Sequence, residues 1–361
     1  MPDQLLELPL GLRLWPQNTG DEPFRFVEGY TLSPLENTTD SYRFSIMVNA
    51  GKFPQVLAAL APKLPDETFF ILEFYQDDQP ADPAQNPTPK IYYSPYLPTA
   101  EILETIEPFL PRLVHDGFVG FGLANNREGV ELFYSEEKVL TCFTGNHLRV
   151  TDLLAHMQIP NRADLQFPTD TGHDHLSLLC HQRKSLPEPF CSMTETELDY
   201  TSFCDDLTEL LDMYPVEDDF SFFLSKKEQD QIEARLAEHP EYAEFADDDF
   251  GGLLLDWNDF VDECAAGFQG DLWEYHQGLK LRDLIEFVIV GVPQPLGSKI
   301  NEIVSETDQK LQQNLVDRRK RLDPPCDGLP IREDRFWYQG IVCNQGVPLR
   351  RDLIRQGWFN R

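Results

Sequence analysis

The sequence predicts an α+β protein, with an N-terminal mixed or antiparallel sheet and flanking helices, followed by a mainly helical C-terminal half. Three observations carry this. Short runs with period-two alternation crowd the segment from Tyr42 to Phe143. Three of them, between Phe118 and Phe143, are separated only by turn-forming residues, which suits antiparallel neighbours and leaves no room for a parallel crossover. Beyond Leu186 the apolar residues recur at spacings of three and four, the period of a helix.

Taken in order, Tyr42–Val48 alternates apolar and polar side chains as a half-buried strand does. Phe53–Leu64 places Val56, Leu57, Leu60 and Leu64 on one side of a short helix. Phe69–Tyr75 is almost continuously apolar and reads as a central strand. Gln76–Lys90, rich in Pro, Asp, Gln and Asn, reads as a loop. Thr99 is a candidate N-cap for a helix with Ile102, Leu103, Ile106 and Leu110 on its apolar face, bent near Pro108 or Pro111. The meander follows, with Ser135-Glu136-Glu137 as its second turn, then a helix over Leu148–Met157 and a further strand over His175–His181. Thr194-x-x-Glu197 and Ser225-x-x-Glu228 have the form of capping boxes. Leu281, Leu284, Ile285, Val288 and Ile289 make one helical stripe, and a second helix starts at Ser298. The tail from Pro324 reads as irregular.

The expected organisation is a sheet domain over 1–182, an acidic helical segment over 183–256 and a helical C-terminal domain over 257–361. Charge is regional as well. The formal net of −32 separates into −12 over 1–160, −23 over 161–275 and +3 over 276–361. Such a field opposes nucleic acid and anionic membrane and attracts a basic protein partner. No apolar run approaches the roughly 18 residues of a membrane-spanning helix. The start lacks the basic and apolar regions of a secretory signal, and the odd count of 7 cysteines suits reduced thiols, so a cytoplasmic location is expected.

The densest group of metal-ligating side chains is His173-Asp174-His175 with Cys180, His181 and Cys191. Its spacing matches no standard zinc finger. If the segment is one strand, His173, His175 and His181 share a face, a candidate zinc-binding set. Asp247-Asp248-Asp249-Phe250-Gly251-Gly252 starts like a calcium loop, but Asn258 stands where the bidentate Glu is required. No P-loop, G-x-S-x-G, H-E-x-x-H or kinase signature occurs.

The leading expectation is therefore a non-enzymatic interaction protein, in its concrete form a bacterial immunity or inhibitor protein that covers the cationic groove of a nuclease-type toxin. Asp205, Asp206, Asp218, Asp219, Asp247, Asp248 and Asp249 would supply the charge, with Phe250 or Trp257 as apolar anchor. A metal-dependent hydrolase built on His173, His175 and His181 is the alternative, and a scaffold component the third.

Overall fold

The computed structural model describes residues 6–15, 26–35, 40–75, 89–216, 222–316, 332 and 334–339. The chain divides into two compact units, 1–226 and 227–361.

The first unit is built on β1 (Leu12–Leu14), β2 (Gly29–Pro34), β3 (Tyr42–Met47), α1 (Phe53–Leu60), β4 (Glu67–Phe74), β5 (Lys90–Tyr93), β6 (Leu97–Pro98), α2 (Thr99–Ile106), α3 (Leu110–His115), β7 (Val119–Asn125), β8 (Val130–Tyr134), β9 (Leu140–Thr144), α4 (His147–His156), β10 (His173–His175), α5 (Glu195–Leu198), α6 (Tyr200–Leu210) and β11 (Tyr214–Val216). The main sheet runs β11-β5-β4-β7-β8-β9-β3-β2, with β6 attached to β4. Its ladders are antiparallel. The expected meander is β7-β8-β9.

One face of this sheet carries the main core. Phe44, Ile46, Phe70, Leu72, Phe121, Leu132 and Cys142 pack there against Val56 and Leu60 of α1, Ile102 of α2, Leu154 of α4 and Phe203 and Leu207 of α6. The opposite face holds a smaller cluster of Phe69, Ile71 and Ala124. Burial on both faces is why Phe69–Leu72 reads as an unbroken apolar run although its neighbours are antiparallel.

Several elements differ from the sequence reading. Thr99 does not cap its helix but begins it, its hydroxyl donating to Pro65 O at 2.7 Å. The bend near the two prolines is a full break between α2 and α3. Thr194 and Glu197 do form a capping box, but α5 ends within a turn and Asp199 caps a new helix, α6. The expected strand over His175–His181 stops at His175, and Ser177 instead caps a 3₁₀ turn over Leu178–Cys180. Residues 76–88, most of the expected loop, lie outside the described residues.

The described residues of the second unit are mainly helical: α7 (Lys226–Ala237, its first residue still in the first unit), α8 (Phe250–Ala266), α9 (Leu272–Gly291) and α10 (Gln294–Val316). Of the expected stripe, Leu284, Ile285 and Val288 are buried and Leu281 and Ile289 half-buried; Val261, Ile300 and Val304 are buried, and so, against expectation, is Trp257. Here α10 starts four residues before Ser298, with Pro295 in its first turn, where its missing N–H costs no helical bond. A 3₁₀ turn, Phe336–Tyr338, inserts Trp337 and Tyr338 into the core. The division into compact units falls at 226/227; Phe203, Cys204 and Leu207 pack with the sheet, and 256 lies inside α8.

Candidate metal centre

Away from the main sheet, β1 and β10 form a two-stranded antiparallel sheet that pairs Leu12 with His175 and Leu14 with His173. Alternation along β10 sends His173 and His175 to one side and Asp174 to the other. There Asp174 accepts from Arg13 Nη2 at 2.6 Å and from Trp15 Nε1 at 2.7 Å, which fixes the strand from behind.

The small sheet is tied to the body by a junction of three backbones. Gly11 N–H donates to His115 O at 2.7 Å, Leu176 N–H to Gly11 O at 2.8 Å, and Gly117 N–H to Leu176 O at 3.0 Å. Two glycines permit this approach: a Cβ on Gly11 would stand 2.1 Å from Gly117 N, and one on Gly117 would stand 2.2 Å from Gly11 O. Beside the junction Asp116, fully buried, accepts from the N–H groups of Phe118 at 3.0 Å and Leu178 at 2.9 Å. Burial raises the Asp116 carboxyl, against the lowering effect of those hydrogen bonds and of Lys138.

This framework brings His173 and His175 opposite Glu137, from the turn that joins β8 to β9. The turn is held by Lys138, which takes a positive φ of 60° and buries its ammonium against Val119 O at 2.9 Å. Desolvation brings the Lys138 ammonium down to about 8, partly offset by Asp116. The ligating atoms nearly touch. His173 Nε2 lies 2.8 Å from Glu137 Oε2 and 3.2 Å from His175 Nε2, and His175 Nε2 lies 3.9 Å from the same carboxylate oxygen.

Two details set this cluster apart from ordinary surface histidines. His173 Nδ1 is 3.0 Å from Thr171 O, and His175 Nδ1 is 2.8 Å from Gly117 O. A carbonyl only accepts, so each neutral ring carries its proton on Nδ1 and turns the Nε2 lone pair to the cluster. That is how ligating histidines are commonly oriented. Second, Glu137 Oε2 is buried and, among the described residues, makes no hydrogen bond, although His173 Nε2 stands 2.8 Å away. Two lone pairs and a carboxylate oxygen thus converge with no donor for that oxygen. Bonds of about 2.0–2.2 Å to a tetrahedral zinc hold neighbouring donors about 3.3 Å apart, the middle of the range found here. The three side chains are 12%, 21% and 29% exposed, so the cluster is reachable from solvent.

His181 is not part of the cluster. With the chain turned into a 3₁₀ segment, its Nε2 meets Leu10 O at 3.1 Å instead. Cys180 is exposed, and Cys191 lies in another 3₁₀ turn, Phe190–Ser192. Glu137, absent from the sequence reading, takes the third place. Its only sequence signal was a position in a turn with alternating strands on either side.

The residues expected to bind a basic partner fall in both units. Asp205 and Asp206 are exposed on α6 in the first unit, and Asp247 and Asp248 are exposed in the second. Asp249 caps α8, accepting from Gly251 N–H at 3.0 Å. Asp218 and Asp219 lie outside the described residues. Phe250 and Trp257 cannot serve as surface anchors, since they are 1% and 0% exposed in the helical core and Trp257 donates to Asp308 at 3.1 Å. No helix among the described residues is long and apolar enough to cross a membrane.

The chain matches no family model, no curated protein and no solved structure.

Proposed function

We propose that this chain is a metal-dependent enzyme of the hydrolase type, holding one divalent transition ion on Glu137, His173 and His175. The single observation that carries the reading is the convergence of these three donors, with both imidazoles fixed through Nδ1 and a buried carboxylate oxygen lacking any hydrogen bond. The donor set favours zinc or ferrous iron over magnesium or calcium, which prefer oxygen alone. Structural zinc sites use four protein ligands, whereas two histidines and one carboxylate leave positions for water and substrate, the catalytic arrangement. Such an ion lowers the pKa of a bound water and polarises a carbonyl or phosphoryl oxygen. The chain's own part is to hold the imidazoles in the ligating tautomer through Thr171 O and Gly117 O, and to keep Asp174 turned away on Arg13 and Trp15.

The acidic-partner reading keeps the exposed carboxylates of Asp205, Asp206, Asp247 and Asp248 but loses Phe250 and Trp257, both buried, as its apolar anchors.

Metal analysis of protein made without an affinity tag and loaded with zinc or ferrous iron tests the proposal. About one tightly held equivalent is expected, and Glu137→Ala or His173→Ala should weaken binding at least about tenfold. His181→Ala should bind like the parent chain. Hydrolysis of a chromogenic ester or phosphodiester should disappear on chelation and return with metal. Less than about 0.1 equivalent retained after loading would dispose of the centre.

A further inference from the structure

The three donors come from two separate sheets: Glu137 from the β8–β9 turn of the main sheet, and His173 and His175 from the small β1–β10 sheet. We infer that the metal acts as a clasp, so that its binding locks the β1–β10 sheet onto the main sheet and its removal frees that sheet locally. The inference rests on the proposed metal centre and adds a conformational consequence to it.

The attachment of the small sheet is lopsided. At the end of β10 that leads into Leu176, it is knitted by the Gly11–Gly117 junction, by Leu178 N–H on Asp116, and by Leu10 N–H on His115 Nδ1 at 3.2 Å. Burial lowers the His115 imidazole to about 4, which keeps it neutral and able to accept. Toward the β8–β9 turn the contacts among the described residues are of two other kinds. Leu14 packs on an apolar cluster that includes Val139, and the two histidines face Glu137. Polar attachment on that side therefore depends on a carboxylate oxygen that receives no hydrogen bond. An ion shared by Glu137, His173 and His175 replaces that unsatisfied approach with coordination bonds on both sides of the seam. Anything that binds the closed form and not the open one stabilises the closed form by mass action. Because the strands involved have only three residues each, the open form is local rather than global.

The amides to watch are Gly11, Trp15, Gly117 and Leu176, whose hydrogen bonds build the junction and the small sheet. Phe70 N–H, bound to Ser94 Oγ at 2.8 Å within the main sheet, serves as a remote control. Hydrogen exchange of the full-length chain is compared by mass spectrometry after chelation and after reloading with zinc, alongside a calorimetric titration of zinc. Zinc should slow exchange across residues 10–15 and 172–178 by about tenfold or more, leaving residues near Phe70 unchanged. Glu137→Gln, which keeps both histidines and the fold, should bind zinc more weakly and lose the protection. If zinc binds with unit stoichiometry and exchange in these segments does not change, or slows equally near Phe70, the clasp is wrong while the metal centre stands. If calorimetry shows no zinc binding, both fall together.

Discussion

At the scale of single residues, the sequence disclosed part of the centre and hid the rest for a definable reason. His173 and His175 were legible as a pair because two residues along a strand is a same-face spacing. Extending that parity to His181 failed because parity holds only while the strand lasts, and Ser177 turns the chain into a 3₁₀ segment. Glu137 reaches the histidines through tertiary folding alone, so no local pattern could announce it. Another carboxylate shows what burial does without a cation close enough to compensate. Glu131 of β8 lies between Ala124 and Phe143 in the ladder, and desolvation raises it to about 7 against a partial lowering by Arg43. Below its ordinary value both folded and unfolded chains hold the proton, and stability is unaffected. Between that value and about 7 the unfolded chain ionises first, so stability falls as pH rises and the loss is complete above about 7. Glu131→Gln removes this penalty. Denaturant unfolding should find the variant level with the parent near about pH 4 and more stable by up to about 3 kcal/mol near about pH 8. A difference independent of pH would show that Glu131 is not the group responsible.

At the scale of elements, the helices of the second unit were legible by period, but two buried charges on α9 were not. Arg282 and Asp283 interrupt the apolar stripe, and both are buried. Arg282 grips Asp308 of α10, with Nη2 at 2.8 Å from Oδ2. Asp283 accepts from Trp337 Nε1 at 2.9 Å and Tyr338 OH at 2.7 Å, and pairs with Arg335. A periodicity reading assigns charged residues to solvent; here they pin a neighbouring helix and an aromatic turn. Asp283→Ala should lower the stability of the second unit by about 3 kcal/mol, measured by denaturant unfolding, and should release the Phe336–Tyr338 turn to faster hydrogen exchange. Close packing of α8 on α9 gives a second prediction. A Cβ on Gly278 would stand 2.1 Å from the Phe260 ring, which is held in turn by Trp257, Phe268 and Tyr275. Because the ring must shift to admit the methyl group, Gly278→Ala should cost about 2 kcal/mol despite the better helix propensity of alanine, and a stabilised variant would contradict this packing.

At the scale of the whole molecule, fold class was legible in periodicity, while charge composition did not show which residues share a core. Antiparallel meander and helical rear followed from periodicity, but charge composition suggested a separate acidic segment where the chain in fact packs α6 under the main sheet. Charge describes what faces solvent, whereas boundaries follow the core, and Phe203, Cys204 and Leu207 belong to the core. What charge does determine is response to salt. The chain has 62 acidic and 30 basic side chains, so pairs such as Lys226 with Glu128 or Lys280 with Glu244 leave most carboxylates unmatched. Exposed pairs contribute little each and weaken with salt, while repulsion among the surplus weakens as well. With a net of −32 the second effect is the larger, and compaction is opposed by the chain's own field. Raising sodium chloride from about 0.01 M to about 0.1 M shortens the screening length from about 30 Å to about 10 Å, and the melting temperature should rise over that interval. A melting temperature that stays flat or falls would mean that the carboxylates are matched locally, and it would equally remove the long-range attraction that an acidic-partner role requires.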